Sequence, residues 1–169
     1  FVNGLTEERL EAQGEEIREA AKTHDMNVLR GVEMDIRPDG TLDYEPEFLE
    51  TLDYVVASIH SKMDQSVDEI MARLENACRS PYVNVIAHPT GRLIGRRDGY
   101  PIDEDKLIAL AKETGTALEL NANPNRLDLT ASTLKKAKAA GVKVMINTDT
   151  HHPDMMEDMA LGVLHARKA

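Results

Sequence analysis

Val83-Asn84-Val85-Ile86-Ala87-His88-Pro89 is an almost unbroken apolar run that ends on a histidine and a proline. A strand wet on one side alternates apolar and polar residues. A near-continuous β-branched run suits a strand covered on both faces of a parallel sheet. Four more short runs share this character: Val28-Leu29, Val55-Val56-Ala57-Ser58-Ile59, Ala117-Leu118-Glu119-Leu120 and Val142-Lys143-Val144-Met145-Ile146. Segments of helical spacing separate them. The clearest runs from Ser66 to about Cys78, with Val67, Ile70, Met71, Leu74, Ala77 and Cys78 on one face and a capping box over Ser66–Glu69. Helices over 104–114 and 131–140 each stop at a glycine, Gly115 and Gly141, in the favoured C-cap position. Helices over about 6–23 and 154–166 complete the set. Strands and helices alternate, which predicts an α/β fold around a parallel sheet.

Right-handed crossovers bring the C-terminal ends of all these strands to one edge, where α/β proteins build their sites. Each strand ends on polar or ionisable groups: Gly31-Val32-Glu33, Ser58-Ile59-His60, Ala87-His88-Pro89, Glu119-Leu120-Asn121 and Asn147-Thr148-Asp149-Thr150-His151. Glu33, His60, His88, Glu119 and Asp149 follow one another at 27, 28, 31 and 30 residues, close to the length of about 30 for one βα unit. Carboxylates and imidazoles gathered on one edge are the ligands that Zn²⁺, Mn²⁺ or Fe²⁺ prefer.

Plainer roles are open to each of these residues taken alone. His60 suits a hydrogen-bonded structural histidine, Glu33 a surface acid beside Asp35 and Asp39, and Asp149 with His151 a helix cap beside Asp154. Their joint placement favours a metal site. No protein nucleophile competes with it: Cys78 lies on an apolar helix face, and there is neither a Gly-x-Ser-x-Gly elbow nor a phosphate-binding P-loop. Met71 and Met145 read as core filler, and Lys135, Lys136 and Lys138 as the wet side of a helix.

Composition narrows the function further. The 169 residues carry 20 Lys and Arg against 30 Asp and Glu, with 41% hydrophobic residues, which suits one globular domain and excludes a disordered chain. No apolar run approaches the ~20 residues of a membrane-crossing helix, which argues against a membrane protein. Phe1-Val2-Asn3-Gly4 has neither the basic nor the apolar region of a signal peptide, and a single cysteine points to a reducing, cytoplasmic setting. All of the net charge of −10 lies in residues 1–60, with 15 acids and 5 bases; residues 61–169 carry 15 of each. The loop Gly91–Arg97 holds Arg92, Arg96 and Arg97 directly after His88, a placement suited to gripping phosphodiester oxygens. A solvated surface loop is the plainer alternative. Asn121, Asn123 and Arg126 are weaker candidates of the same kind.

The strand-end motifs, together with His88-Pro89-Thr90-Gly91-Arg92-Leu93-Ile94-Gly95-Arg96-Arg97 and Leu118-Glu119-Leu120-Asn121-Ala122-Asn123-Pro124, resemble those of the PHP (polymerase and histidinol phosphatase) domain. In particular they are similar to the PHP domain on the C-terminal side of bacterial and archaeal family X DNA polymerases. The resemblance covers nearly the whole chain. It implies a distorted seven-stranded β/α barrel that binds up to three divalent metals, Mn²⁺ or Zn²⁺, and hydrolyses phosphoesters. It also implies roles: Glu33 bridging two metals, His60 and His88 completing one, Asp149 binding its neighbour and His151 serving the third. The expected activity is a 3′–5′ exonuclease or the processing of DNA ends or abasic sites, on DNA delivered by a polymerase domain. A small-molecule phosphatase resembling histidinol phosphatase, and a non-catalytic structural domain, are the alternatives.

This sequence departs from the family pattern in one respect. A first His-x-His motif and a later Asp-His pair have no counterpart in it, so one metal is nearly complete and the other two lack ligands. A closed β/α barrel takes about 250 residues. Residues 1–169 therefore read as a single, partial PHP domain without its first strands, whose open sheet edges favour self-association.

Overall fold

The computed structural model describes residues 4–169; the start of the amino-terminal stretch, Phe1–Asn3, lies outside the described residues. Helix α1 (Glu7–His24) comes first, followed by β1 (Gly31–Asp35), α2 (Pro46–Leu49), β2 (Tyr54–Ser58), α3 (Val67–Arg79) and β3 (Val85–Ile86). Then come α4 (Glu104–Thr114), β4 (Ala117–Asn121), α5 (Ala131–Ala140), β5 (Val144–Asn147), a 3-10 turn (Pro153–Asp158) and α6 (Met159–Ala166). The five strands form one sheet in sequential order, and every neighbouring pair is parallel. A doubly wound sheet reverses its order at a switch point. This sheet does not, so it is a β/α wall of the kind that curls into a barrel, with β1 and β5 as its edges among the described residues.

Local chemistry sets the helix ends where the sequence predicts them. Ser66 and Glu69 form the expected capping box on α3. Thr6, Asp103 and Thr130 cap α1, α4 and α5, while Gly115 and Gly141 close α4 and α5 in left-handed conformation. Two expectations need correction. Val28 and Leu29 are exposed and outside any strand. Strand β1 instead begins at Gly31, where an added Cβ would meet the Tyr54 carbonyl oxygen at 2.5 Å, so the close approach to β2 requires glycine. The last segment starts as a 3-10 turn capped by His152 before it becomes α6.

Alternation along the strands divides the sheet into two faces. Val55, Ala57, Ile86, Leu118 and Leu120 enter a core with Ile70, Leu74, Leu107, Ala111, Leu134 and Ala137 of the helices. Residues of opposite parity, among them Glu33, Ser58, Glu119, Asn121 and Asn147, line the other face, and Met145 lies there 38% exposed rather than in the core. That polar face, at the C-terminal strand ends, is where the candidate site forms.

Cys78 is buried on α3, and burial pushes its thiol up to about 12. In the unfolded chain the same thiol ionises near pH 9. From there upward the unfolded state loses a proton that the folded state keeps, so stability falls with rising pH by about 1.4 kcal/mol per unit. Chemical denaturation of the wild type between pH 8 and 10.5 should show this slope on top of any general alkaline trend. The Cys78→Ala variant should lack it, and an identical slope in both proteins would refute the assignment.

Candidate metal centre

Three strands supply one side chain each to a compact group. Glu33 lies in the middle of β1, in register with Val56 of β2. His60 follows the end of β2 by two residues, and His88 follows the end of β3 by two. Ligand atoms of Glu33, His60 and His88 all lie within 4.8 Å of one another. The Glu33 Oε1 is 3.1 Å from His88 Nε2 and 3.5 Å from His60 Nε2. The two imidazoles meet edge to face with centroids 5.2 Å apart.

The surroundings act differently on the three groups. Burial raises the Glu33 carboxyl, but the His88 hydrogen bond and the charges of His88 and His60 outweigh it, leaving a pKa of about 2. Burial, followed by the nearby His88 charge, lowers His60. Burial also lowers His88, yet the Glu33 hydrogen bond and charge reverse the balance and raise it. Glu33 Oε1 and His88 Nε2 thus face one another across the gap where a cation would sit. Ligand bonds of 2.0–2.2 Å put donors around one ion roughly 3–4 Å apart, which matches the two distances to Glu33. His88 Nδ1 is buried with no hydrogen-bond partner among the described residues. Two imidazoles and a carboxylate therefore fit a divalent ion.

A second layer fixes the backbone of both histidines. Asp35 Oδ1 accepts the His60 N–H at 3.0 Å, and its Oδ2 accepts the Ser61 hydroxyl at 3.2 Å. Glu119 Oε2 accepts the His88 N–H at 2.5 Å, while Asn147 Nδ2 donates to Oε1 at 2.8 Å and Asn121 Nδ2 to Oε2 at 3.3 Å. Burial raises the Glu119 carboxyl despite these donors.

Asp149 and His151 stand beside the trio, not within it. The Asp149 carboxylate accepts from Asn121 Nδ2 at 3.1 Å and faces Arg126 Nε at 3.5 Å. His151 is exposed, with Nδ1 2.8 Å from the Asp149 carbonyl oxygen. In the arginine loop, Arg92 donates to the carbonyls of Arg126 and Leu127, and Arg97 donates twice to that of Gly91. Arg96 is exposed and, among the described residues, its side chain has no hydrogen-bond or ion-pair partner. Asp35, Arg73 and Asp128 escaped the sequence reading. Asp35 shares the parity of Glu33, a usable signal, whereas Arg73 and Asp128 have none. Two clefts of about 340 Å³ lie elsewhere: one is lined by Tyr54, Asn84, Thr116 and Lys143, the other by Leu134, Val142 and Ala166.

No family model matches the chain. Among curated proteins it is 56% identical to the "DNA polymerase/3'-5' exonuclease PolX" of Bacillus subtilis (strain 168), over 99% of this chain and 30% of that protein. It is 34% identical to a "probable phosphatase" of Thermoanaerobacter sp. (strain X514), over 77% of this chain and 55% of the relative. A "probable phosphatase" of Shewanella oneidensis is 30% identical over 83% of this chain and 58% of its own length. The chain thus spans little more than half of these phosphatases and under a third of the PolX protein. With this identity along almost all of its length, and with Glu33, His60 and His88 joined at the ends of parallel strands, the chain belongs to the PHP (polymerase and histidinol phosphatase) family.

Proposed function

We propose that residues 1–169 act as one metal-dependent phosphoesterase domain that hydrolyses phosphodiester bonds of DNA, either from a 3′ end or at DNA ends and abasic sites. The observation that carries this reading is the Glu33–His60–His88 group. The 56% identity to a protein named as a polymerase and 3′–5′ exonuclease supports DNA as the substrate and a polymerase module as its supplier. Glu33, His60 and His88 would hold one ion, Mn²⁺ or Zn²⁺, with Asp149 and His151 serving neighbouring ions. A divalent ion held there lowers the pKa of a bound water and polarises the phosphoryl oxygen.

The protein's own groups do the rest. Glu33, with its depressed pKa, stays ionised at neutral pH and offers a full negative charge to the site. Arg96, free at the loop surface, reaches a phosphodiester oxygen, while Arg97 shapes the loop through the Gly91 carbonyl and Arg92 ties it to the carbonyls of Arg126 and Leu127. Asn121, buried and donating to both Glu119 and Asp149, keeps the Asp149 carboxylate in place. Because residues 61–169 are electrically balanced, the acidic total does not repel DNA from this half. No helix among the described residues is long and apolar enough to cross a membrane.

The test is release of nucleotides from 5′-labelled DNA by the intact protein with Mn²⁺. His88→Ala and Asp149→Ala should each lower the rate by about 100-fold or more, the scale on which lost electrostatic stabilisation acts. Unchanged rates in both variants would sink the reading. The relatives named as phosphatases favour a second reading, a small-molecule phosphatase. Hydrolysis of a phosphomonoester with no action on DNA would select it. Absence of bound metal together with absence of both activities would select a structural role.

A further inference from the structure

His88 has a backbone φ of 25°, in the left-handed region that residues with a Cβ avoid. It follows a strand of only two residues, so the sheet itself does little to hold it. Something else must fix this conformation. The Asp128 side chain, fully buried between β4 and α5, accepts the N–H groups of Thr90 and Gly91, both at Oδ2 and both at 3.0 Å. Gly91 N–H also donates to the His88 carbonyl at 2.8 Å, closing a turn over Pro89 and Thr90. Pro89 has no N–H. Glu119 takes the N–H of His88. Two buried carboxylates thus account for every backbone donor from His88 to Gly91.

We infer that Asp128 is a positioning residue: by clamping the Thr90 and Gly91 amides it holds His88 in the unfavourable backbone conformation that points its imidazole at Glu33. The inference rests on the metal-centre reading for its functional meaning, though not for its structural content. Neither oxygen of Asp128 belongs to the ligand group, and among the described residues Oδ1 has no hydrogen-bond partner. An acid kept in the protein interior with half its acceptor capacity unused is costly. What it retains is the two-amide clamp. Tyr100 reinforces the turn from outside: its N–H donates to the Thr90 carbonyl at 2.9 Å, and its ring packs where a Gly91 side chain would stand.

The experiment has two arms. In the metal-free protein, nuclear magnetic resonance follows the imidazole signals of His88 and the exchange of the Thr90 and Gly91 amides. Asp128→Ala should shift the His88 ring signals and deprotect both amides. Leu134→Ala, a core substitution on α5, should leave the ring signals in place even though it destabilises the protein. In the second arm, titration with Mn²⁺ alone should show affinity lowered about tenfold or more in Asp128→Ala, the effect expected when a group that orients a ligand is lost. Asp128→Asn keeps an acceptor for both amides and should stay within about threefold of wild type.

Ring signals and affinity unchanged in Asp128→Ala would overturn the inference. Should that variant not fold, Asp128→Asn decides. Protected amides with a tenfold loss of affinity would mean that the charge acts and the clamp does not. If the wild type binds no Mn²⁺, the metal reading fails, and the ring signals still decide the positioning role.

Discussion

Glu33→Gln should lower the affinity of the protein for Mn²⁺ by about 100-fold or more and leave the metal-free fold intact. Glu33 is the only acid in the three-residue group and its only source of negative charge. Both imidazoles approach the same oxygen, so a cation bound between them would meet Glu33 from either side. Loss of a group that merely orients a ligand costs ~10–100-fold in affinity, and loss of the charged ligand itself should reach or pass the upper figure. Stability should respond differently. The Glu33 side chain is 37% exposed on an edge strand, so its pairing with the histidines is screened by water and worth within about 1 kcal/mol. Calorimetric titration with Mn²⁺ measures the first effect, and thermal unfolding without metal the second. An affinity within threefold of wild type would remove Glu33 from the metal centre. A collapse of the metal-free fold would make it a structural residue instead.

The trio was legible in the sequence because parallel βα units repeat at about 30 residues and bring strand ends to a common edge. That rule gathers Glu33, His60 and His88 together with Glu119 and Asp149; the family resemblance, not the spacing, puts the first three around one ion. The limits of α3, α4 and α5 were equally legible where Ser66, Gly115 and Gly141 mark them, because these are local signals that act within one turn. The residues that seat the trio were not. Asp35 meets the His60 amide across 25 positions, Glu119 meets that of His88 across 31, and Asp128 meets that of Thr90 across 38. Their partners are backbone N–H groups, which every residue but proline carries, so no side-chain pattern announces them. Val28 and Leu29 misled for the opposite reason. Apolar character marks them as strand, but the place where the chain can approach β2 is fixed by the glycine at 31. The arginines after His88 show the same limit, because composition cannot tell a guanidinium spent on loop carbonyls, as in Arg92 and Arg97, from a free one such as Arg96.

Arg73→Met on α3 should destabilise the protein by about 3 kcal/mol. The helical pattern puts Arg73 among polar positions, yet it is 2% exposed. Its guanidinium donates to the Ile36 carbonyl just past β1, to the Ser61 carbonyl at 3.0 Å and to Gln65 Oε1 at 2.7 Å. It therefore ties the segment after Asp35 to the segment after His60. Replacing a buried charge by an apolar side chain of similar size is often harmless when the partner charge goes with it. Here the partners are backbone carbonyls, which stay behind and lose their donor, at about 1–3 kcal/mol for each unsatisfied group. That asymmetry decides the sign. Arg79→Met on the same helix supplies the comparison: Arg79 is exposed and pairs only with Glu75 and Glu113, so its loss should cost below about 1 kcal/mol. Urea denaturation of both variants measures the difference. The two loops in Arg73→Met should also exchange their amides faster at Ser61 and Lys62 than at positions on α5. Equal costs for the two substitutions, or an Arg73→Met variant as stable as wild type, would show that the carbonyls find other donors and that Arg73 does not join the two loops.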